Sequence, residues 1–150
     1  QCSGVFTLWG CLQGKARVGE DGCLDLVKPL VRGFIDLTAA DHDSIVARTS
    51  HLPHVLASAL VNAVLASPRA GEPDFLGTGF RDTTRLASGE AGMWRDIAMD
   101  NADAIAAALE DLQLEIGRLK TALSEKDAPA LEKFFAEGQI ARDDWLKETN

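Results

Sequence analysis

From Thr38 onward the apolar residues fall at helical spacing. Ile45, Val46, Leu52, Leu56, Leu60, Val64 and Leu65 recur near every third or fourth position, which predicts a long helix over about 39–67. Thr38-Ala-Ala-Asp41 has the form of a capping box at its start, with Asp where Glu is usual. Pro53 lies inside the pattern. A proline there removes one backbone hydrogen bond and predicts a kink, with a carbonyl freed one turn earlier, near Thr49. After a loop over 67–74 with Pro68, Gly71 and Pro73, a second long helix is predicted over about 93–125. Its Ile105, Leu109, Leu112, Ile116, Leu119 and Leu123 alternate spacings of four and three, an a/d seam. At 1.5 Å per residue it would span roughly 45 to 50 Å, longer than a small domain needs. Such a helix commonly packs across a subunit interface; a monomeric helical hairpin is the alternative.

Asp127 is placed to cap a last helix, with Pro129 tolerated in its first turn. Leu131, Phe134, Phe135, Ala141, Trp145 and Leu146 form its apolar side, and Trp145 reads as a core residue. Gly138 weakens this helix by about 1 kcal/mol unless it marks a close helix crossing. Residues 1–37 break the helical pattern. Gly4, Gly10, Gly14, Gly19 and Gly22 preclude a long helix, and Val5–Trp9 and Ala16–Val18 are candidate short strands. Leu24–Val31 predicts a short helix weakened by Pro29, Gly33 reads as its stop, and Phe34–Leu37 as a brief strand. The expected fold class is therefore all-α, with an irregular segment over 1–37 and a helical domain over 38–150.

Composition narrows the function classes. A chain of 150 residues can bury the core of one domain. A net charge of −8 argues against nucleic acid, which needs a basic face, and against an anionic membrane surface. The apolar run Val55–Ala66 is too short to span a bilayer and contains Asn62. Val5–Leu12 lacks a basic flank, so no signal peptide is expected, and the first residue, Gln1, suggests a fragment. Cys2, Cys11 and Cys23 show no metal-ligand spacing and have no His nearby. No metal site is expected; reduced thiols fit a cytoplasmic protein.

The chemistry concentrates in the glycine-rich stretch Gly77–Ile97. Arg81, Asp82 and Arg85 stand together, with Trp94 shortly after. If Phe80–Ala87 is helical, the three charged residues share a face. An arginine fork held by a neighbouring carboxylate is a receptor for a ligand carboxylate or phosphate. A surface ion pair on a short helix is the other reading of the same residues. Ser50-His-Leu-Pro-His54 interrupts the first long helix, and the spacing of His51 and His54 sets both on one side of it. Taken alone, they read as helix-surface histidines. Asp41-His42-Asp43 reads as a solvated helix start.

Ser50-His-Leu-Pro-His54, Gly79-Phe-Arg-Asp-Thr-Thr-Arg85 and Met93-Trp-Arg-Asp-Ile97, in that order and at that spacing, resemble the C-terminal domain of the prephenate/arogenate dehydrogenase family. The resemblance extends over about 24–150, with its motifs in 38–101; His42-Asp43 also recurs in the family. It implies a helical dimerisation domain, a homodimer, and a short remnant of a Rossmann domain at the N-terminal end. The reaction implied is an oxidative decarboxylation in tyrosine biosynthesis. Hydride passes to NAD or NADP, and the ring carboxylate of prephenate or arogenate leaves as carbon dioxide.

By the same resemblance Arg85 holds a substrate carboxylate, and His54 lines the substrate and cofactor pocket with His51 supporting it. Asp82 joins an ionic network at the pocket mouth, Trp94 reaches the partner subunit's pocket, and Gly77 lets backbone approach the ligand. The chain departs from the family in one respect. No strand followed by GxGxxG and a helix occurs, and its three histidines, His42, His51 and His54, all lie in the helical part. The family's catalytic histidine belongs to the Rossmann domain. The expectation is therefore a dimerisation and substrate-binding half that binds no nicotinamide cofactor alone and is inactive alone. The alternatives are a free-standing helical dimer module that binds an anionic metabolite, and a purely structural dimer.

Overall fold

The computed structural model describes residues 15–16, 33–34, 37–69 and 71–149. The fold is all-α. In chain order the elements are β1 (Lys15–Ala16), β2 (Gly33–Phe34), α1 (Ala39–Val46), a π-helical turn (Ala47–His51), α2 (Leu52–Leu65), a 3₁₀ turn (Glu72–Phe75), α3 (Thr78–Thr84), a second 3₁₀ turn (Arg85–Ser88), α4 (Ala91–Asp100), α5 (Ala102–Glu125) and α6 (Ala128–Thr149). The two strands pair in parallel, Lys15 opposite Gly33 and Ala16 opposite Phe34. Gly33 thus lies in a strand; the helix it was expected to stop lies outside the described residues. The expected strand Val5–Trp9 and helix Leu24–Val31 lie outside the described residues. So does most of the expected Rossmann remnant, and a two-residue pair is too short to define one.

The helix ends follow local side-chain chemistry. Thr38 caps α1, its hydroxyl oxygen accepting from the Asp41 N–H at 3.1 Å. The Asp41 carboxylate takes the Thr38 hydroxyl at 2.7 Å, so half of the expected box forms. Asp127 caps α6 through the Ala130 N–H at 3.0 Å. Between α5 and α6, Lys126 adopts the left-handed conformation at φ 55°. The Asp127 N–H bonds the Ala122 carbonyl and the Lys126 N–H that of Leu123, the paired bonds of a Schellman motif. The chain reverses in two residues, and α6 folds back along α5. Arg118 on α5 ties Glu137 on α6 at 3.1 Å and Glu115 at 2.7 Å, an exposed network that adds little to stability.

Of the two expected long helices, the first is found and the second is corrected. The first helix is continuous over 39–65 but not uniformly α-helical. It passes through the π turn over Ala47–His51, where the Leu52 N–H reaches back to the Ala47 carbonyl, and continues as α2 with Pro53 in its first turn. Pro53 has no N–H to give to the turn before it. The second helix breaks at Asn101 (φ −123°, ψ 34°) into α4 and α5. The 24 residues of α5 then span roughly 36 Å at 1.5 Å each.

The core is built largely from alanine. Ala47, Ala57, Ala108 and Ala122 are buried with Ile105, so helices approach closely at small side chains. α2 packs on the 3₁₀ turn at Arg85–Ser88, and α5 on the π turn and α6. The seam of α5 is divided: Ile105 is buried, Leu109, Leu112 and Leu119 are half-buried, and Ile116 and Leu123 are 50% and 57% exposed. Trp145, expected in the core, is 57% exposed and lies under the Arg142 guanidinium at 6.0 Å. The α6 pattern is one-sided, but α5 does not cover that side at Trp145. A Cβ at Gly138 would meet nothing within 4 Å, so no close crossing explains it among the described residues.

Candidate functional site

The π turn sets the direction of both histidines. One residue of excess over α-helical winding changes the angle at which side chains leave the turn. His51, its last residue, packs edge-on against the Trp94 ring with centroids 6.2 Å apart. His54, at the start of α2, stacks on the same indole, with centroids at 3.9 Å and planes 27° apart. Two imidazoles and an indole, forty residues apart in sequence, form one ring cluster.

His54, Trp94, Val55, Asn62, Leu86 and Gly89 line a groove of about 400 Å³ between α2, the second 3₁₀ turn and α4. Its walls are mostly apolar, with a few polar groups at fixed places, as small-molecule clefts generally are. Pro53 leaves this turn one backbone donor short, and the His54 ring supplies another. Its Nδ1–H donates to the Ser50 carbonyl at 3.1 Å, since a carbonyl only accepts. The neutral His54 ring therefore keeps its lone pair on Nε2. Burial first, then the charges on His54 and His42, hold the His51 pKa below its usual range, against a smaller opposing effect of Asp43.

Trp94 is positioned by residues that the sequence reading did not single out. Glu90 caps α4, its carboxylate accepting from the Gly92 N–H at 2.8 Å and the Met93 N–H at 2.6 Å. These two backbone bonds hold the Glu90 carboxyl below its usual range. Glutamate is not among the favoured N-cap residues, so the pattern gave no signal. Gly89 lies directly beneath the indole. A Cβ there would come within 2.7 Å of Trp94 Cδ1 and closer still to Nε1. Gly89→Ala should therefore push the indole off His54 and cost about 1 to 3 kcal/mol of stability. Near-UV circular dichroism and thermal melts check it; an unchanged tryptophan signal would contradict the close approach.

The other sequence-predicted residues stand apart from the ring cluster. Gly77 precedes α3 in extended backbone at φ −83°, and space above it is open. Asp82 on α3 and Arg85 at the next turn are both exposed. The expected ion pair between them does not form: among the described residues neither Arg81 nor Arg85 lies within 4 Å of a carboxylate. The helix tightens to 3₁₀ winding at Arg85, which changes the azimuth on which the shared face depended. Arg85 is not itself among the groove-lining residues; it immediately precedes Leu86, which is.

No group of three His, Cys, Asp or Glu side chains gathers to hold a metal among the described residues, and no described helix is long and apolar enough to cross a membrane. Nor do the described residues include a glycine turn between strand and helix that would cradle a dinucleotide pyrophosphate.

A long antiparallel helix pair joined to a groove of histidine and tryptophan makes an all-α domain. The comparisons with known proteins make this specific. Residues 38–137 match the family "Prephenate dehydrogenase, dimerization domain", and the chain belongs to that family. It is 35% identical over 116 residues to the cyclohexadienyl dehydrogenase of Zymomonas mobilis, covering 75% of this chain and 40% of that protein. Its fold is similar to that of Synechocystis arogenate dehydrogenase, with a TM-score of 0.73 and 31% identity over 82% of this chain and 46% of that one. It is also similar to prephenate dehydrogenase from Aquifex aeolicus in complex with hydroxyphenyl propionate and NAD+, with a TM-score of 0.76 and 26% identity over 87% of this chain and 49% of that one. The chain thus spans less than half the length of each of these relatives.

Proposed function

We propose that this chain is the dimerisation and substrate-binding region of an NAD- or NADP-dependent prephenate or arogenate dehydrogenase. On this reading residues 1–37 carry the tail of a nucleotide-binding domain and residues 38–150 form the helical domain of a cytoplasmic homodimer. The observation that carries it is the convergence of His51, His54 and Trp94, drawn from two of the three family-like motifs, on one ring cluster beside one groove.

The roles follow from side-chain chemistry. Arg85, next to the groove-lining Leu86, offers a planar, permanently charged fork to a ligand carboxylate. The Nε2 lone pair of His54 accepts a hydrogen bond from a ligand hydroxyl or ammonium. Trp94 and the apolar wall receive the ring and exclude water from one face of it. Gly77 leaves room above the backbone, and Asp82 contributes negative charge near the mouth that disfavours a second anion. Hydride transfer belongs to the nicotinamide cofactor and to a nucleotide-binding domain of the whole enzyme.

Trp94 supplies the test. Prephenate or arogenate should quench tryptophan emission saturably, and Trp94→Phe should abolish the change, with Trp9 and Trp145 as internal controls. The same preparation should reduce neither NAD+ nor NADP+ above background. No saturable quench with either compound would remove substrate binding from the reading, and turnover would remove the expectation that the chain is inactive alone.

A further inference from the structure

Asn101 breaks the second long helix, and its side chain accounts for the break. The amide Nδ2 donates to the Asp43 carbonyl on α1 at 2.9 Å, across 58 residues of sequence. It also meets Nδ1 of His51 at 3.3 Å. An amide nitrogen has two protons and no lone pair to offer. With one proton engaged by the Asp43 carbonyl, the other points to His51, whose Nδ1 must accept. The His51 proton then sits on Nε2. His54 is fixed the opposite way, because its Nδ1 donates to the Ser50 carbonyl.

We propose that Asn101 is a positioning residue that holds His51 as the neutral, Nε2-protonated tautomer, opposite to that of His54, beside the Trp94 ring. The helix break at Asn101 is the structural cost of that bond. An uninterrupted helix through residue 101 would carry the amide away from His51 and Asp43. The consequence is a division of labour in the groove: His51 serves as an uncharged ring and leaves charge recognition of an anion to other groups.

The ionisable groups around His51 are His42 and Asp43 on α1 and His54 on α2; α4 presents Trp94, and Asn101 itself stands at the α4–α5 junction. The His51 pKa is lowered, first by burial, which agrees with a neutral ring.

Imidazole ¹⁵N shifts on the ¹⁵N-labelled chain read the tautomers directly. In the wild type, His51 should show a protonated Nε2 and a bare Nδ1, and His54 the reverse. In Asn101→Asp a carboxylate replaces the donor, so the His51 proton should move to Nδ1 and its titration to higher pH. Asn101→Ala should leave His51 as a mixture. A wild-type His51 with its proton on Nδ1 overturns the proposal, even if no variant folds. So does a folded Asn101→Asp protein whose His51 tautomer is unchanged, because added negative charge alone would move the titration without moving the proton. No ligand enters this experiment, so its failure and that of the dehydrogenase reading are separately visible.

Discussion

On the proposed dehydrogenase reading, replacing Arg85 with lysine in the full-length enzyme should raise KM for the substrate tenfold or more, and Arg85→Ala further still, while the fold stays intact. Arg85 makes no ion pair with a described carboxylate, so its removal leaves no orphaned partner among the described residues. Exposed substitutions of that kind change stability by about 0.5 kcal/mol or less. Lysine keeps the charge but loses the fork, and a bidentate carboxylate contact depends on the fork. Truncating one side of a desolvated charge pair costs about 2 to 5 kcal/mol, whereas a rim pair left in water is worth less than about 1. Steady-state kinetics, with circular dichroism as the folding control, separate the two. KM and kcat both within about twofold of wild type, well under the ~1.4 kcal/mol of a tenfold change, would show that Arg85 does not hold the substrate.

The second large effect is on assembly. Ile116→Asp combined with Leu123→Asp should turn a dimer into a helical monomer. Both residues belong to the α5 seam, and both are at least half exposed in the single chain. Phe135 and Ile140 on α6 are more than 60% exposed. Stripes of this kind on helices that have already packed one face are characteristic of a covered interface. Because positions 116 and 123 already face water in one chain, aspartate there leaves the helical hairpin intact. Leu112→Asp with Leu119→Asp is the contrasting pair. Those side chains are half-buried within the chain, so charge there should cost the fold as well as the dimer. Light scattering at micromolar concentration, read beside helicity, tells these outcomes apart. A monomeric wild type would end the proposal of a homodimer.

The parts legible in the sequence are those decided locally. Thr38 and Asp127 cap their helices through bonds spanning three residues, so residue type and spacing were sufficient. The pairing of His51 with His54 was legible for the same reason. What was not legible depends on distant partners. The break at Asn101 sits in an alanine-rich helical pattern and is explained only by Asp43 and His51, more than forty residues earlier. Gly89 looks like any loop glycine until Trp94 is seen lying over it. The Asp82–Arg85 pair failed because the pattern assumed continuous α-helical winding, and the chain tightens at Arg85. Trp145 was misplaced because amphipathic spacing says which side of a helix is apolar, but not whether the same chain covers it.

The π turn over Ala47–His51 is a residue of surplus, and the surplus serves as a register mark. Each residue advances an α-helix by about 100°. In uniform α-helical winding the extra residue would turn α2 by that angle relative to α1, swinging His54 away from the Trp94 ring and Ala57 out of the core. The wider turn absorbs the residue, so α2 keeps its direction. An insertion or deletion in the flanking α-helical winding has no such turn to absorb it and would redirect a whole helix, whereas substitutions at Arg48 or Thr49, both exposed, alter single side chains.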